Sequence, residues 1–146
     1  MKNFMLLRVP AQSKNEAFVR NTIATFCIEL NPTLDQLEDV KMAVSEAVTN
    51  CVVHAYEGRT LGEIEIYGEI INSEIHIRIT DFGRGIKDVE EALSPYFTTD
   101  TNSERAGIGF TVMRSFMDEL TVKNNEYGGV TVFMRKNLIK EDCRGV

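Results

Sequence analysis

Three short segments carry residue types whose spacing could do chemistry: EAVTN (46–50), DFGRG (81–85) and AGIGF (106–110). Glu46 and Asn50 are four apart, so on a helix they share one face, one turn from each other. A carboxylate can take a proton from a hydroxyl or a water. An amide carbonyl is a hard oxygen ligand that can complete an octahedral magnesium shell beside phosphates. The same pair also reads as a solvated helix face. In DFGRG, a strand-end Asp81 followed by Gly83 and Gly85 sets a fixed acceptor beside a backbone that can be approached closely. A carboxylate there can accept from the exocyclic amine of adenine, although a plain glycine-rich turn has the same letters. In AGIGF, Gly107 and Gly109 open a helix and expose amide N–H groups toward an anion.

Familiar alternatives fail on detail. Asp-Phe-Gly is the metal-holding tripeptide of eukaryotic-type protein kinases, but their H-R-D and V-A-I-K signatures are absent and 146 residues is about half the length needed. A dinucleotide fingerprint wants a third glycine three residues after Gly85, where this chain has Asp88, and a helix directly after it. No G-x-x-x-x-G-K-[ST] occurs. The net charge of −6, with no basic stripe, argues against a nucleic-acid partner. No apolar run approaches the ~20 residues of a membrane helix, and the opening MKNFMLLRVP is broken by Pro10 too soon for a signal peptide. Cys27, Cys51 and Cys143 are odd in number and form no C-x-x-C, which reads as reduced thiols in a cytoplasmic protein without zinc or disulfides.

Elements must place these residues. FMLLRV (4–9) reads as a strand ended by Pro10. Ser13 with Glu16 has the pattern of a capping box, opening a helix whose apolar stripe is Phe18, Val19, Ile23, Phe26 and Leu30, stopped by Asn31-Pro32. A second helix is expected over about 33–55, with Leu34, Leu37, Val40, Val44, Ala47, Val48 and Cys51 near a 3.6-residue period and Gly58 ending it. The alternation in 62–71 and 74–80, joined by Asn72-Ser73, predicts an antiparallel hairpin. Residues 86–106 show no sustained period, and so long a loop suggests a functional lid. A helix over 107–120 and a hairpin over 121–136 follow, with a charged tail over about 137–146. The order predicts a single α+β domain: a two-layer α/β sandwich whose mostly antiparallel, mixed sheet is covered on one face by helices.

Taken together and in this order, EAVTN, DFGRG and AGIGF resemble the N-box, G1-box and G2-box of the ATP-binding fold shared by gyrase, histidine kinases and mismatch-repair ATPases. The resemblance spans about 34–134. With RVPAQSKNEAFVR and SEAVTNCVVHAY, the chain looks like the sporulation anti-sigma factors, bacterial serine kinases of that superfamily. The resemblance implies ATP or ADP with Mg2+, with Asn50 on the magnesium and Glu46 as the base for a partner's serine hydroxyl. It implies that Asp81 reads the adenine amine, with Gly83 and Gly85 giving room, and that Gly107 and Gly109 cradle phosphates. Arg105 is expected at the γ-phosphate, although it reads also as a lid-surface charge, and Thr131 is expected to support adenine through its hydroxyl or a water. It further implies an anti-anti-sigma substrate phosphorylated on serine, capture of a sigma factor, and a homodimer joined through the sheet end of the fold. Glu16, Arg20 and Asn21, with Lys14 and Asn15 nearby, form a candidate partner-facing surface that reads equally as a solvated helix face.

Three other readings share these motifs: a general-stress-type anti-sigma kinase, a non-catalytic ATP-gated binding module, and a detached histidine-kinase catalytic domain or simple ATPase. For the last, neither His54, on the N-box helix, nor His76, in a strand, reads as a phosphoacceptor, and both are expected to be structural.

Overall fold

The computed structural model describes residues 2–55, 62–83, 85 and 105–138, with the backbone alone at His54 and over 105–109. The expected helix stop at Gly58, nearly all of the expected lid, Cys143 and most of the tail lie outside the described residues.

Strand β1 (Asn3–Pro10) leads through a 3-10 turn (Ser13–Asn15) into α1 (Glu16–Cys27). Ser13 does not cap this helix: it lies in the 3-10 turn, and no side chain caps either element. Asn15 Nδ2 instead donates to the Pro10 carbonyl, fixing the entry from β1. Val19, Ile23, Ala24 and Cys27 form the buried face of α1, whereas Phe18 remains 54% exposed. A further 3-10 turn (Ile28–Leu30) ends at Asn31 in the left-handed conformation.

Helix α2 (Leu34–Asn50) opens on a capping box the sequence reading did not anticipate. Thr33 Oγ1 accepts from the Gln36 N–H, and Gln36 Oε1 accepts from the Thr33 N–H. Val40, Ala43, Val44, Ala47 and Val48 bury its inner stripe, while Leu34 is left 80% exposed at the first turn. The α-helix is shorter than the period suggested. After Asn50 it widens into a π-helical turn, Cys51–Ala55.

Strands β2 (Glu63–Ile71) and β3 (Glu74–Asp81) form the expected hairpin, with Asn72 at positive φ in its turn. Helix α3 (Arg105–Phe116) begins and ends earlier than expected, so β4 starts at Glu119 and runs to Asn124; β5 follows over Val130–Asn137. The sheet order is β1-β2-β3-β5-β4 and every described pairing is antiparallel, so it is not mixed. Alternation sends Ile64, Ile66 and Ile70, then Ile75, Ile77 and Ile79, then Val130, Val132 and Met134 into the core. Each fully buried isoleucine contributes roughly 1.5–3 kcal/mol of apolar burial. Cys27, Cys51, Met113 and Met117 are buried in the same core, as expected of small or flexible apolar residues. The other face of the sheet carries Tyr67, His76, Arg78 and Phe133 and no described helix. Among the described residues no helix is long and apolar enough to cross a membrane.

Candidate functional site

The C-terminal end of α2, which carries Glu46 and Asn50, meets the end of β3, which carries Asp81. Glu46 and Asn50 lie one turn apart at that end of α2, both half-buried. Among the described residues Glu46 has neither an ion pair nor a side-chain hydrogen bond. The amide of Asn50 is in a more demanding position, since Oδ1 and Nδ2 are both shut off from solvent and, among the described residues, both lack a hydrogen-bond partner. Buried amides are nearly always paired, and an orphaned one costs about 1–3 kcal/mol per group. A hard cation beside phosphate oxygens is the kind of partner Oδ1 lacks. The π turn falls directly after Asn50, and such wide turns inside helices occur often at functional sites.

Asp81 ends β3 and is 4% exposed. Its Oδ1 accepts from the N–H of Gly83 at 3.0 Å and from the N–H of Val130 at 3.1 Å. Its Oδ2 faces the Cys51 thiol at 3.8 Å, which ties β3 to the residue directly after Asn50. Burial pushes the Asp81 carboxyl above the usual carboxylate range, against the pull of the two amides and the thiol. Burial also pushes the Cys51 thiol well up, and the neighbouring Asp81 charge adds to it. One carboxylate oxygen is therefore fixed by two backbone donors, while the other has, among the described residues, only a weak thiol donor and can accept from a ligand.

The glycines of DFGRG act on the protein's own packing. A Cβ at Gly83 would overlap the Ala55 carbonyl of the π turn. Gly85 has a φ of +75°, and a Cβ there would come within 2.8 Å of the Gly128 carbonyl. The loop thus lies between the end of α2 and the β4–β5 turn, and the room these glycines give is filled by main chain.

The structure does not bring every expected residue to this place. Thr131 lies on the opposite face of the sheet from the Asp81 carboxylate. It pairs with Thr80, and its hydroxyl is 3.3 Å from Thr80 Oγ1 and 3.3 Å from Asn125 Nδ2. Its neighbour Val130 faces inward and contributes its N–H to Asp81, because strand parity alternates. On its own face Thr131 shares the Asn125 Nδ2 donor with the Asp81 main-chain carbonyl. Arg105, Gly107 and Gly109 lie at the start of α3, where the backbone is helical. Glu16 and Arg20 form an i, i+4 ion pair at 3.5 Å on α1, well away in sequence from the α2–β3 junction, and Asn21 beside them is exposed. His76 lies on the uncovered face, 3.4 Å from Glu74, in keeping with a structural role. Sequence reading missed Cys51 and Asn125 as neighbours of Asp81. Neither has a local signal, since the contacts span 30 and 44 residues.

Residues 9–136 match the family model described as the histidine kinase-like ATPase domain. The anti-sigma F factor of Caldanaerobacter subterraneus subsp. tengcongensis is 48% identical over 134 residues, covering 92% of this chain and 93% of that protein. The anti-sigma F factor of Halalkalibacterium halodurans is 45% identical over 140 residues, covering 96% of each. Among solved structures, the catalytic domain of the histidine kinase ThkA superposes with a TM-score of 0.59 at 18% identity, covering 93% of this chain and 96% of that one. The RsbU and RsbW domains of a Mycobacterium tuberculosis protein superpose with a TM-score of 0.61 at 14% identity, covering 93% of this chain and 32% of the other. These two likenesses speak to the fold, whereas the two anti-sigma F factors match nearly end to end at close to half identity. The chain belongs to the histidine kinase-like ATPase family and, within it, to the anti-sigma F factors.

Proposed function

We propose that the chain is an ATP-dependent protein serine kinase that phosphorylates an anti-anti-sigma protein and also binds and inhibits a sporulation sigma factor. The observation that carries the kinase reading is the orphaned, buried amide of Asn50, one turn from Glu46 and next in sequence to the thiol that touches Asp81. Such an arrangement is costly unless a ligand completes it.

In this reading Asp81 Oδ2 accepts from the adenine amine and fixes the base end of ATP. Gly107 and Gly109 cradle the phosphates at the start of α3, Gly107 through a first-turn amide that the helix leaves free to donate and Gly109 by its lack of a side chain. Asn50 Oδ1 would hold Mg2+, which when bound neutralises charge on the phosphates. Glu46 takes the proton from a serine hydroxyl of the partner. The serine oxygen then forms its bond to the γ-phosphorus, the bond to the β-phosphate oxygen breaks, and ADP leaves with that electron pair. Arg105 offsets charge on the transferring group. Glu46 supports catalysis over ATP-gated binding alone, because a pure binder has no need of a carboxylate one turn before the metal ligand. The sigma and anti-anti-sigma partners rest on the family, with Glu16, Arg20 and Asn21 as the candidate partner surface. The homodimer finds support in Phe4 and Leu6, 63% and 61% exposed on the uncovered face of the sheet. A cytoplasmic location accompanies these partners.

The test is γ-phosphate transfer from labelled ATP, with magnesium, to a candidate anti-anti-sigma protein, with Glu46→Ala alongside. Acid-stable label on the partner, lost in the variant while ATP still binds, is the expected result. No label with intact ATP binding would make the chain a nucleotide-gated binder. An acid-labile label would indicate histidine phosphorylation.

A further inference from the structure

The turn between β4 and β5 does more than reverse the chain. Asn125 stands at its start and engages every polar group it has. Its N–H donates to the Gly129 carbonyl at 2.9 Å, and its carbonyl accepts from the Gly128 N–H at 3.2 Å. Its side-chain Oδ1 accepts from the N–H groups of Tyr127 at 2.9 Å and Gly129 at 3.1 Å. Those bonds build the turn. Nδ2 works in the other direction, donating to the main-chain carbonyl of Asp81 at 2.9 Å.

That last bond lies where the sheet gives out. The β3–β5 ladder reaches Thr80 paired with Thr131 and stops there, one residue short of Asp81. On its β5 side, Asp81 is therefore positioned by the turn and not by the ladder. Three contacts do this: the Asn125 amide on its carbonyl, the Val130 N–H on Oδ1, and Gly129, where a Cβ would overlap the Asp81 carbonyl. The rings of Phe82 and Tyr127 meet edge to face at 5.4 Å and pin the next residue of the loop to the same turn.

We propose that Asn125 is a positioning residue of the base subsite: by holding the Asp81 main chain it sets where Asp81 Oδ2 stands for the exocyclic amine of an amino-purine nucleotide. This rests on the reading of Asp81 as the base acceptor. Asn125 does not touch the ligand and acts only through Asp81. A residue needed merely to form the turn would require Oδ1 alone. Asn125→Asp separates the two roles, because it keeps an acceptor for the Tyr127 and Gly129 amides and loses the donor to Asp81.

The experiment compares affinities for ADP and for inosine diphosphate, which carries an oxygen in place of the amine, without metal. The proteins are the wild type, Asn125→Asp, Asn125→Ala and Asp81→Asn, each first checked for a cooperative melt. The wild type prefers ADP. Asn125→Asp loses about 3- to 10-fold of that preference, the size of one neutral hydrogen bond, through weaker ADP binding with inosine diphosphate unchanged. Asn125→Ala loses at least as much, and it carries the test if the added charge keeps the first variant from folding. Weakening of both nucleotides together, or full retention of the preference, overturns the proposal and leaves Asn125 as a turn former. Retention of the preference in Asp81→Asn would instead sink the reading of Asp81 itself. Its loss there but not in the Asn125 variants would sink only the role of Asn125.

Discussion

Asp81 and Asn50 are held in opposite ways, and the contrast says what each needs from a ligand. Asp81 has two backbone N–H donors on one oxygen, yet its carboxyl still sits above its ordinary value of 3.8, with burial the first cause. Between its unfolded and folded values the native state binds more protons than the unfolded chain. Stability therefore falls as pH rises through that window, and the loss is complete above the folded value. Asp81→Asn removes that loss. In urea unfolding of the nucleotide-free protein, the variant should be at least as stable as the wild type at neutral pH and should lose less stability as pH rises from about 4. Its affinity for ATP and for ADP should drop about 10-fold or more, with or without magnesium, since a charge-assisted bond to the base is gone. A variant that lost folding stability while keeping both affinities would mean that Asp81 is a structural carboxylate. At this scale the sequence was readable for residue types and poor for facing. The resemblance points Thr131 toward adenine through its hydroxyl or a water, whereas the apolar alternation Val130, Val132, Met134 puts Thr131 on the other side of the strand from Asp81.

Helix α2 is the element on which the site depends, and its two ends do different work. The start is held by the reciprocal Thr33–Gln36 bonds, the end by the π turn that meets Gly83 and Asp81. Seventeen residues of α-helix separate those ends by roughly 24 Å. Thr33→Ala should thus cost stability without touching the nucleotide. We expect a loss of about 1 kcal/mol in urea unfolding, with ATP affinity unchanged; reduced affinity would show that the cap reaches the site through the helix. The stripe from Val40 to Val48 was legible because 3.6-residue periodicity survives burial. The π turn was not legible, since the apolar residues Cys51 and Val52 continue the same period and only the packing of Ala55 against the DFGRG loop distinguishes it. The Ser13–Glu16 pattern misled for a related reason: the chain leaves β1 through a 3-10 turn held by Asn15, which takes up the residues that would have formed the box.

At the scale of the whole molecule, the five described antiparallel strands present one isoleucine-rich face to α1, α2 and α3, and no described helix covers the other face. Hairpin periodicity and the apolar stripes were enough to read this layer structure from sequence. The order β3-β5-β4 was harder, because it depends on pairing across a connection of more than 40 residues. The same long-range closure brings the β4–β5 turn onto Asp81, the residue proposed to meet the base. In the proposed reading this folded chain is incomplete at Asn50 until a nucleotide and its metal are bound. Thermal unfolding of wild type and Asn50→Ala, each alone, with metal-free ADP and with ATP and magnesium, tests that claim directly. The variant alone should melt no lower than the wild type, since two orphaned polar atoms are gone. It should keep the rise given by ADP and lose the additional rise given by ATP with magnesium. A variant that melts lower on its own and keeps the magnesium-dependent rise would contradict it.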